Sequence, residues 1–301
     1  MNEPHPYYPA PSFRKRRPKL FLFLLLPPLL LLAWIAFAAW AVLDGKGVFS
    51  GPRLGEVRIE GFIGDAAESV AWIETLRKNP SVAGVLVRVN SPGGAVTPSQ
   101  EIHAALKRLA TVKPVVVSMG SAATSGGYYI AVAGREIFAN PSSLTGSIGV
   151  RLQLTNVQGL MERIGIASES LVTGRFKASG SPFRELTFEE RTYLQKVLDD
   201  MQEEFVTAVA TGRNLPKEAV APFADGRVLT GRQALQAKLI DTLGDREAAL
   251  VRLAALCAIE GEPEILAEPK NSPPLWKRLI QAALDIGMET ATEMAQYQFV
   301  Y

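Results

Sequence analysis

The sequence predicts an α/β domain behind a single membrane-spanning helix, and three observations predict it. Residues 20–43, "LFLFLLLPPLLLLAWIAFAAWAVL", carry no charge; a run of about 24 apolar residues crosses a bilayer core with some tilt. Two later runs, "VAGVLVRVN" (82–90) and "KPVVVSMG" (113–120), are almost continuously apolar and β-branched, the pattern of strands buried on both faces. Stretches with helical spacing, "DAAESVAWIETLRKN" (65–79) and "TPSQEIHAALKRLA" (97–110), alternate with them. That order argues for an α/β fold.

Each element has its own signal. Residues 1–13, rich in Pro and Tyr, read as a disordered tail, and the tail as a whole covers 1–19. The cluster "RKRRPKL" (14–20) keeps that tail in the cytoplasm and places everything after the span outside. Trp34 and Trp40 suit the far interface, and Pro27 and Pro28 are tolerable inside a membrane helix. "AFA" and "AWA" resemble signal-peptide cleavage sites; the apolar run exceeds a usual signal core, which favours an uncleaved anchor. Residues 44–55 form a Gly-rich linker, and the globular pattern fills 56–258.

Within it, "EVRIEGFI" (56–63) alternates like a strand, and Val70, Ile73 and Leu76 share one helix face. "SPGGAV" reads as a loop. The next helix opens with Thr97 as N-cap, Pro98 at the first position and Gln100 at the third. "SGGYYIAVAG" reads as a short apolar helix, and "EIFANP" and "SIGVRLQ" as short strands. A long amphipathic helix follows, boxed by Thr187 and Glu190 and closed by Gly212. "GRVLTGRQALQAKLIDTLGD" gives strand, capped helix, strand. "DREAALVRLAALCAI" closes the core near residue 258. Residues 259–301 form an extension whose amphipathic segment "PPLWKRLIQAALDIGMETATEMAQYQ" packs on the body or on a neighbour.

Composition narrows the function. A formal charge of +2 offers no global basic field for nucleic acid. The single cysteine, Cys257, lies in "LAALCAI" and reads as a buried structural thiol. With one cysteine and two histidines, no zinc site is expected, and no cofactor is implied.

The chemistry centres on "ATSGGYYIA" (123–131), where Ser125 follows a buried strand and precedes two glycines at a helix start. Glycines admit close approach of a substrate backbone. A helix N-terminus supplies N–H groups for a developing oxyanion. Gly126, directly after the serine, is a common donor position. The "NSPGG" turn at the end of a parallel strand is a source for a second donor. Taken alone, "SGG" equally suits a tight turn, and Ser118, Ser121, Ser142 and Ser147 are rival nucleophiles. His5 lies across the membrane, and His103 in "EIHAALKRL" reads as a packing residue. A lysine is the remaining general base. Lys177, in "TGRFKASGSPFREL", has no acid nearby in sequence, although an ordinary loop lysine has the same spacing.

The blocks "VRVNSPGGAV", "SQEIHAAL", "KPVVVSMGSAATSGGYYIA", "IFANPSSLTGSIGV", "TGRFKASGSPFRELT" and "DGRVLTGRQALQAKLID" together resemble the bacterial signal peptide peptidase A family, in its short membrane-anchored form. The resemblance covers roughly residues 55–250. It implies a serine peptidase of the Clp-protease/crotonase-type repeated β-β-α fold, acting on peptides through a Ser–Lys dyad. It maps the nucleophile to Ser125, the base to Lys177 at the end of "GRFK", and the oxyanion donors to Gly94 and Gly126. Thr173 and Arg175 depart from smaller residues found in many relatives, which bears on substrate detail. The resemblance also implies homo-oligomeric rings with sites shared between subunits. It places the chain in the bacterial inner membrane, with one span, a cytoplasmic N-terminus and an extracytoplasmic peptidase domain. Remnant signal peptides, or other exported peptides, are the implied substrates.

A lysine must be neutral to accept a proton. Starting from a reference pKa of ~10.4, neutrality near pH 7 costs roughly 4.6 kcal/mol. Desolvation supplies that only with nearly complete burial, which a subunit interface offers a loop residue. Ser147 or Thr145 are candidates to orient the amine. Two other classes compete: a crotonase-type acyl-CoA enzyme, disfavoured by the exported location, and a non-catalytic membrane scaffold.

Overall fold

The computed structural model describes residues 18–43 and 52–269. The expected N-terminal tail, most of the linker and the C-terminal amphipathic segment lie outside them. The chain divides into two units near residue 53. The first contains helix α1 (Pro18–Leu43), with Pro27 and Pro28 inside it. Among the residues whose side chains are described, no helix is long and apolar enough to cross a membrane; the expected span over 20–43 is taken up below as a proposal.

The second unit is built on an eight-stranded mixed sheet. Strands β1 (Arg53–Ile63), β2 (Val82–Gly94) and β3 (Val115–Thr124) lie side by side at its centre, with β2 parallel to β3. Helices α2 (Ala67–Lys78) and α3 (Val96–Ala110) make the crossovers. β3 then forks. Its first half pairs with β4 (Glu136–Ala139), and its second half with β5 (Leu144–Gly146). β5 continues antiparallel to β6 (Val228–Thr230), and β4 parallel to β7 (Thr242–Leu243). A last strand, β8 (Ile265–Ala267), joins the far edge beside β1, so the sheet takes in residues beyond 258.

Strand alternation divides the core in two. Val85, Val87, Val89, Val115, Val117 and Met119 face a large cluster with α2, α3, the short helix α4 (Gly126–Ala131) and the C-terminal half of the long helix α6 (Phe188–Arg213). Leu86 and Val116 face the other side, where helix α9 (Arg246–Leu256) covers them with Leu250 and Leu253. Burial on both faces is what the unbroken apolar runs require; each fully buried Val or Leu contributes about 1.5–3 kcal/mol. Gly84 lets α9 close in, because a Cβ there would stand 2.5 Å from Cys257 Sγ. Cys257 is half-buried, and burial raises its thiol pKa.

Four local expectations are corrected. "SPGG" is not simply loop: β2 runs through Gly94, with its register against β3 shifting between Val89 and Ser91. α3 starts at Val96 with Ala95 as cap, ahead of the Thr97 cap read from sequence. The cause is tertiary, since Ala95 N donates to Ile63 O at 2.8 Å. "SIGVRLQ" is not a strand. Gly146 and Ser147 have φ of 74° and 51° and end β5 there. α6 keeps the Thr187–Glu190 capping box but ends at left-handed Asn214, not at Gly212. Gly212 instead packs on α4's end, where a Cβ would meet Val132 O at 2.3 Å.

Between β5 and β6 the chain forms a separate arm. It carries the short helix α5 (Gln158–Arg163) and a series of turns, and no residue from 151 to 189 is buried. Short helices α7 (Lys217–Val220) and α8 (Gly231–Gln236) follow α6; α8 starts in a Thr230–Gln233 capping box.

Candidate active site

β3 leaves the sheet at Thr124, and α4 begins at Gly126. Ser125 sits at this corner with φ 52° and ψ −122°. A non-glycine residue in that region stores on the order of 1–3 kcal/mol and persists only where its surroundings hold it. Here Ser125 N donates to Gly146 O and its carbonyl accepts from Tyr129 N, both at 2.9 Å. Strained serines at strand-to-helix corners present their hydroxyl away from the sheet, with the next residue's N–H beside it.

The turn at the end of β2 closes over this corner. Gly93 has φ 101°, and a Cβ there would lie 2.9 Å from both Gly126 N and Ser125 Cβ. A Cβ on Gly126 would lie 3.3 Å from Gly94 N and 2.4 Å from Ser99 Oγ. Gly94 and Gly126 therefore stand together beside Ser125. Sequence reading missed the residues that fix the turn. Buried Ser91 donates to Gly61 O at 2.6 Å and accepts from Gly93 N at 3.0 Å. Thr124 Oγ1 donates to Pro92 O at 3.1 Å.

A cavity of 870 Å³ opens in front of Ser125, lined by Phe62, Gly94, Ser147, Val150 and Asp199 among others. Ser147 faces it as well, whereas Thr145 is buried with its hydroxyl donated to Ala123 O at 2.9 Å. Of the rival serines, Ser118 is buried and accepts from Arg88 at 2.7 Å. Ser121 and Ser142 are exposed and do not line the cavity.

Neither histidine reading supplies a base. His5 lies outside the described residues. His103 packs edge-on against Tyr129 with centroids 4.9 Å apart, and lines a different cavity. Burial, with a smaller push from Lys107, lowers its pKa to about 4.

Lys177 is exposed and does not line the Ser125 cavity. Its turn is nevertheless firmly built. Phe176 stacks on Tyr193 at 4.8 Å, and the Arg175 guanidinium lies 5.4 Å from the Phe176 ring. Arg175 pairs with Glu189. Arg184 holds the turn by donating to Ala178 O at 3.0 Å and to Glu190 at 2.8 Å. Hydrogen bonds from Arg184 and then from the Thr187 amide hold Glu190 down at about 2. Glu189 and Glu190 are thus occupied by arginines, and among the described residues no carboxylate pairs with Lys177.

Known proteins resemble this chain over the same region. A family model described as peptidase family S49 matches residues 107–260, the stretch that holds Ser125 and Lys177. The chain belongs to that family. A Synechocystis protein provisionally named a protease is 43% identical over 195 residues, 65% of this chain and 70% of its own length. An Enterococcus faecium protein provisionally named signal peptide peptidase SppA is 34% identical over 218 residues, 67% of this chain and 62% of its own. Protease 4 of Salmonella typhi is 34% identical over 227 residues, 75% of this chain and 35% of its own. This chain spans less than two thirds of the latter two. S49 membership fits a serine-type protease and the mixed α/β sheet described above.

Proposed function

We propose that this chain is a membrane-anchored serine endopeptidase in which Ser125 is the nucleophile and Lys177 of a neighbouring subunit is the general base. The observation that carries the reading is the strained Ser125 corner with Gly94 and Gly126 beside it. Ser125 Oγ attacks the scissile carbonyl while its proton passes to the lysine amine. The carbonyl oxygen takes up negative charge against the Gly94 and Gly126 N–H groups, a contribution of about 3–4 kcal/mol per donor in related chemistry. The C–N bond then breaks and the leaving amine takes the proton from the lysine. Water, deprotonated by the same amine, releases the acyl group from Ser125. Ser147, at the cavity wall, orients the amine.

Sharing the site between subunits accounts for the exposed Lys177. The arm that carries it displays Leu160, Ile164, Ile166 and Leu171, between 48% and 92% exposed. Large apolar side chains left exposed along one arm suit a contact, and a second subunit in a ring both covers them and desolvates Lys177. The uncharged stretch 20–43, preceded by its basic cluster, anchors the domain on the outer side of the bacterial inner membrane. Remnant signal peptides and other exported peptides are the substrates in reach of such an anchor. A fluorophosphonate probe tests the reading: it should label the full-length protein at Ser125 and block peptide hydrolysis. A protein that hydrolyses peptides with Ser125 unlabelled would refute it.

A further inference from the structure

One buried hydroxyl links the two glycines beside Ser125. Ser99 lies in the first turn of α3. It stands there because α3 begins early. Ile63 O captures Ala95 N, Ala95 becomes the cap, and residue 99 falls four positions later, over the Ala95 carbonyl. Serines inside helices turn back to the carbonyl four residues before them. Ser99 Oγ donates to Ala95 O at 2.8 Å, closer than its own amide, which lies 3.3 Å from the same oxygen.

Ala95 directly follows Gly94. Its N–H is tied to Ile63 O and its carbonyl to Ser99, so the chain leaving Gly94 is fixed at both points. Gly94 itself presses on β1, where a Cβ would stand 2.2 Å from Ile63 O. The same hydroxyl also rests on Gly126. Its oxygen fills the space that a side chain at 126 would take, because a Cβ there would lie only 2.4 Å away. Ser99 therefore holds by hydrogen bond the turn that carries one amide, and meets by contact the residue that carries the other. Neither glycine has a side chain with which to fix itself. An oxyanion hole depends on donors held in place before charge develops.

We propose that Ser99 is a positioning residue that sets the spacing of the Gly94 and Gly126 N–H groups, and so acts on the transition state and not on substrate binding. This rests on the peptidase reading above and adds a residue to its machinery. The hydrogen of the Ser99 hydroxyl is engaged by Ala95 O, so the residue works through the two glycines.

The test uses full-length Ser99→Ala protein. The change removes one oxygen atom, and the residue-99 amide still bonds Ala95 O, so the domain stays folded. Active sites are counted by titration with the fluorophosphonate probe. Per titrated site, kcat/KM should fall about 10- to 100-fold, the scale of a small misplacement of catalytic groups. A peptide boronic acid, which forms a tetrahedral adduct on Ser125, should bind more weakly by a similar factor. The product peptide with the same acyl-side sequence should bind as it does to the wild type. Neither affinity depends on the folded fraction, so partial unfolding cannot imitate this split. Should Ser99→Ala not fold, Ser99→Cys, which keeps only a weak donor, is read instead and should weaken the boronic acid and not the product. Boronic acid and product peptide weakened equally, or neither weakened, overturns the proposal. If the wild type takes the probe at Ser125 and cuts peptides, and Ser99→Ala matches it, only this inference falls. If wild-type Ser125 takes no probe and no peptide is cut, the peptidase reading falls with it.

Discussion

The two halves of the proposed dyad sit in opposite kinds of structure. Ser125 stands where two core-forming strands end, within a few residues of side chains that are fully buried, such as Met119, Ala123, Tyr128 and Ile130. Its strained backbone is held by Gly146 O, and the turn over it by Ser91. Lys177 stands on an arm with no buried residue from 151 to 189. What order the arm has comes from hydrogen bonds and stacking on the start of α6. The serine corner is held by its own chain, whereas in the proposed shared site the lysine side is finished by a partner. Strain is affordable where packing is dense, and a base lysine is useful only where something desolvates it.

Removing chemistry from either half should have the largest effect. Ser125→Ala should lower kcat/KM by at least about 10⁴-fold, in line with loss of a nucleophile elsewhere. Lys177→Arg should be as inactive as Lys177→Ala, since arginine stays protonated with a pKa above ~12. An active Lys177→Arg enzyme would make the residue a charge contact instead of a base. Next comes the surface of the arm. Leu171→Asp changes a residue that is 92% exposed, so the unfolding midpoint of the isolated chain should move little, within about 0.5 kcal/mol. Sedimentation should nevertheless show weakened assembly, with activity falling in parallel. Unchanged assembly and activity would dissolve the contrast between the two regions.

The smallest effect concerns His103 and tests the packing of the serine half. Its folded pKa, about 4, lies below the ordinary 6.5. At neutral pH both folded and unfolded states hold it neutral. As pH falls below 6.5 the unfolded chain binds a proton that the folded one does not, so stability is lost down to about pH 4 and then levels off. The loss amounts to up to about 3 kcal/mol. Denaturant titrations at pH 7 and pH 4.5 should show it, and His103→Phe should reduce the difference.

Much of the serine half was legible in the sequence, and the reasons are local. Val85 to Val89 and Val115 to Val117 announce buried strands by composition alone. Thr187 with Glu190 sets the start of α6 within four residues. What failed to read out was decided by distant partners. α3 begins at Val96 because Ile63 O captures Ala95 N, and nothing near Thr97 signals that. Gly212 reads as a helix stop, yet its missing side chain serves contact with Val132, 80 positions earlier in the chain. Tyr129 and Phe205 meet edge-on at 5.1 Å across a similar separation, so that contact had no sequence signature. For Lys177, spacing did not separate a base from a loop lysine, and the resemblance singled it out. The same exposure that hides its role in one chain is what a shared site requires.

The shared dyad is tested most directly by mixing inactive subunits. Ser125→Ala and Lys177→Ala proteins are unfolded together in equal amounts and reassembled, with co-assembly confirmed by tagging each. In a ring every interface joins the serine side of one subunit to the lysine side of the next. Random mixing then places an intact Ser125 against an intact Lys177 at about one interface in four. The expected result is recovery of roughly a quarter of wild-type activity from two inactive proteins. Confirmed mixed assemblies with no recovered activity at any ratio would contradict it and place both residues of each site in one subunit.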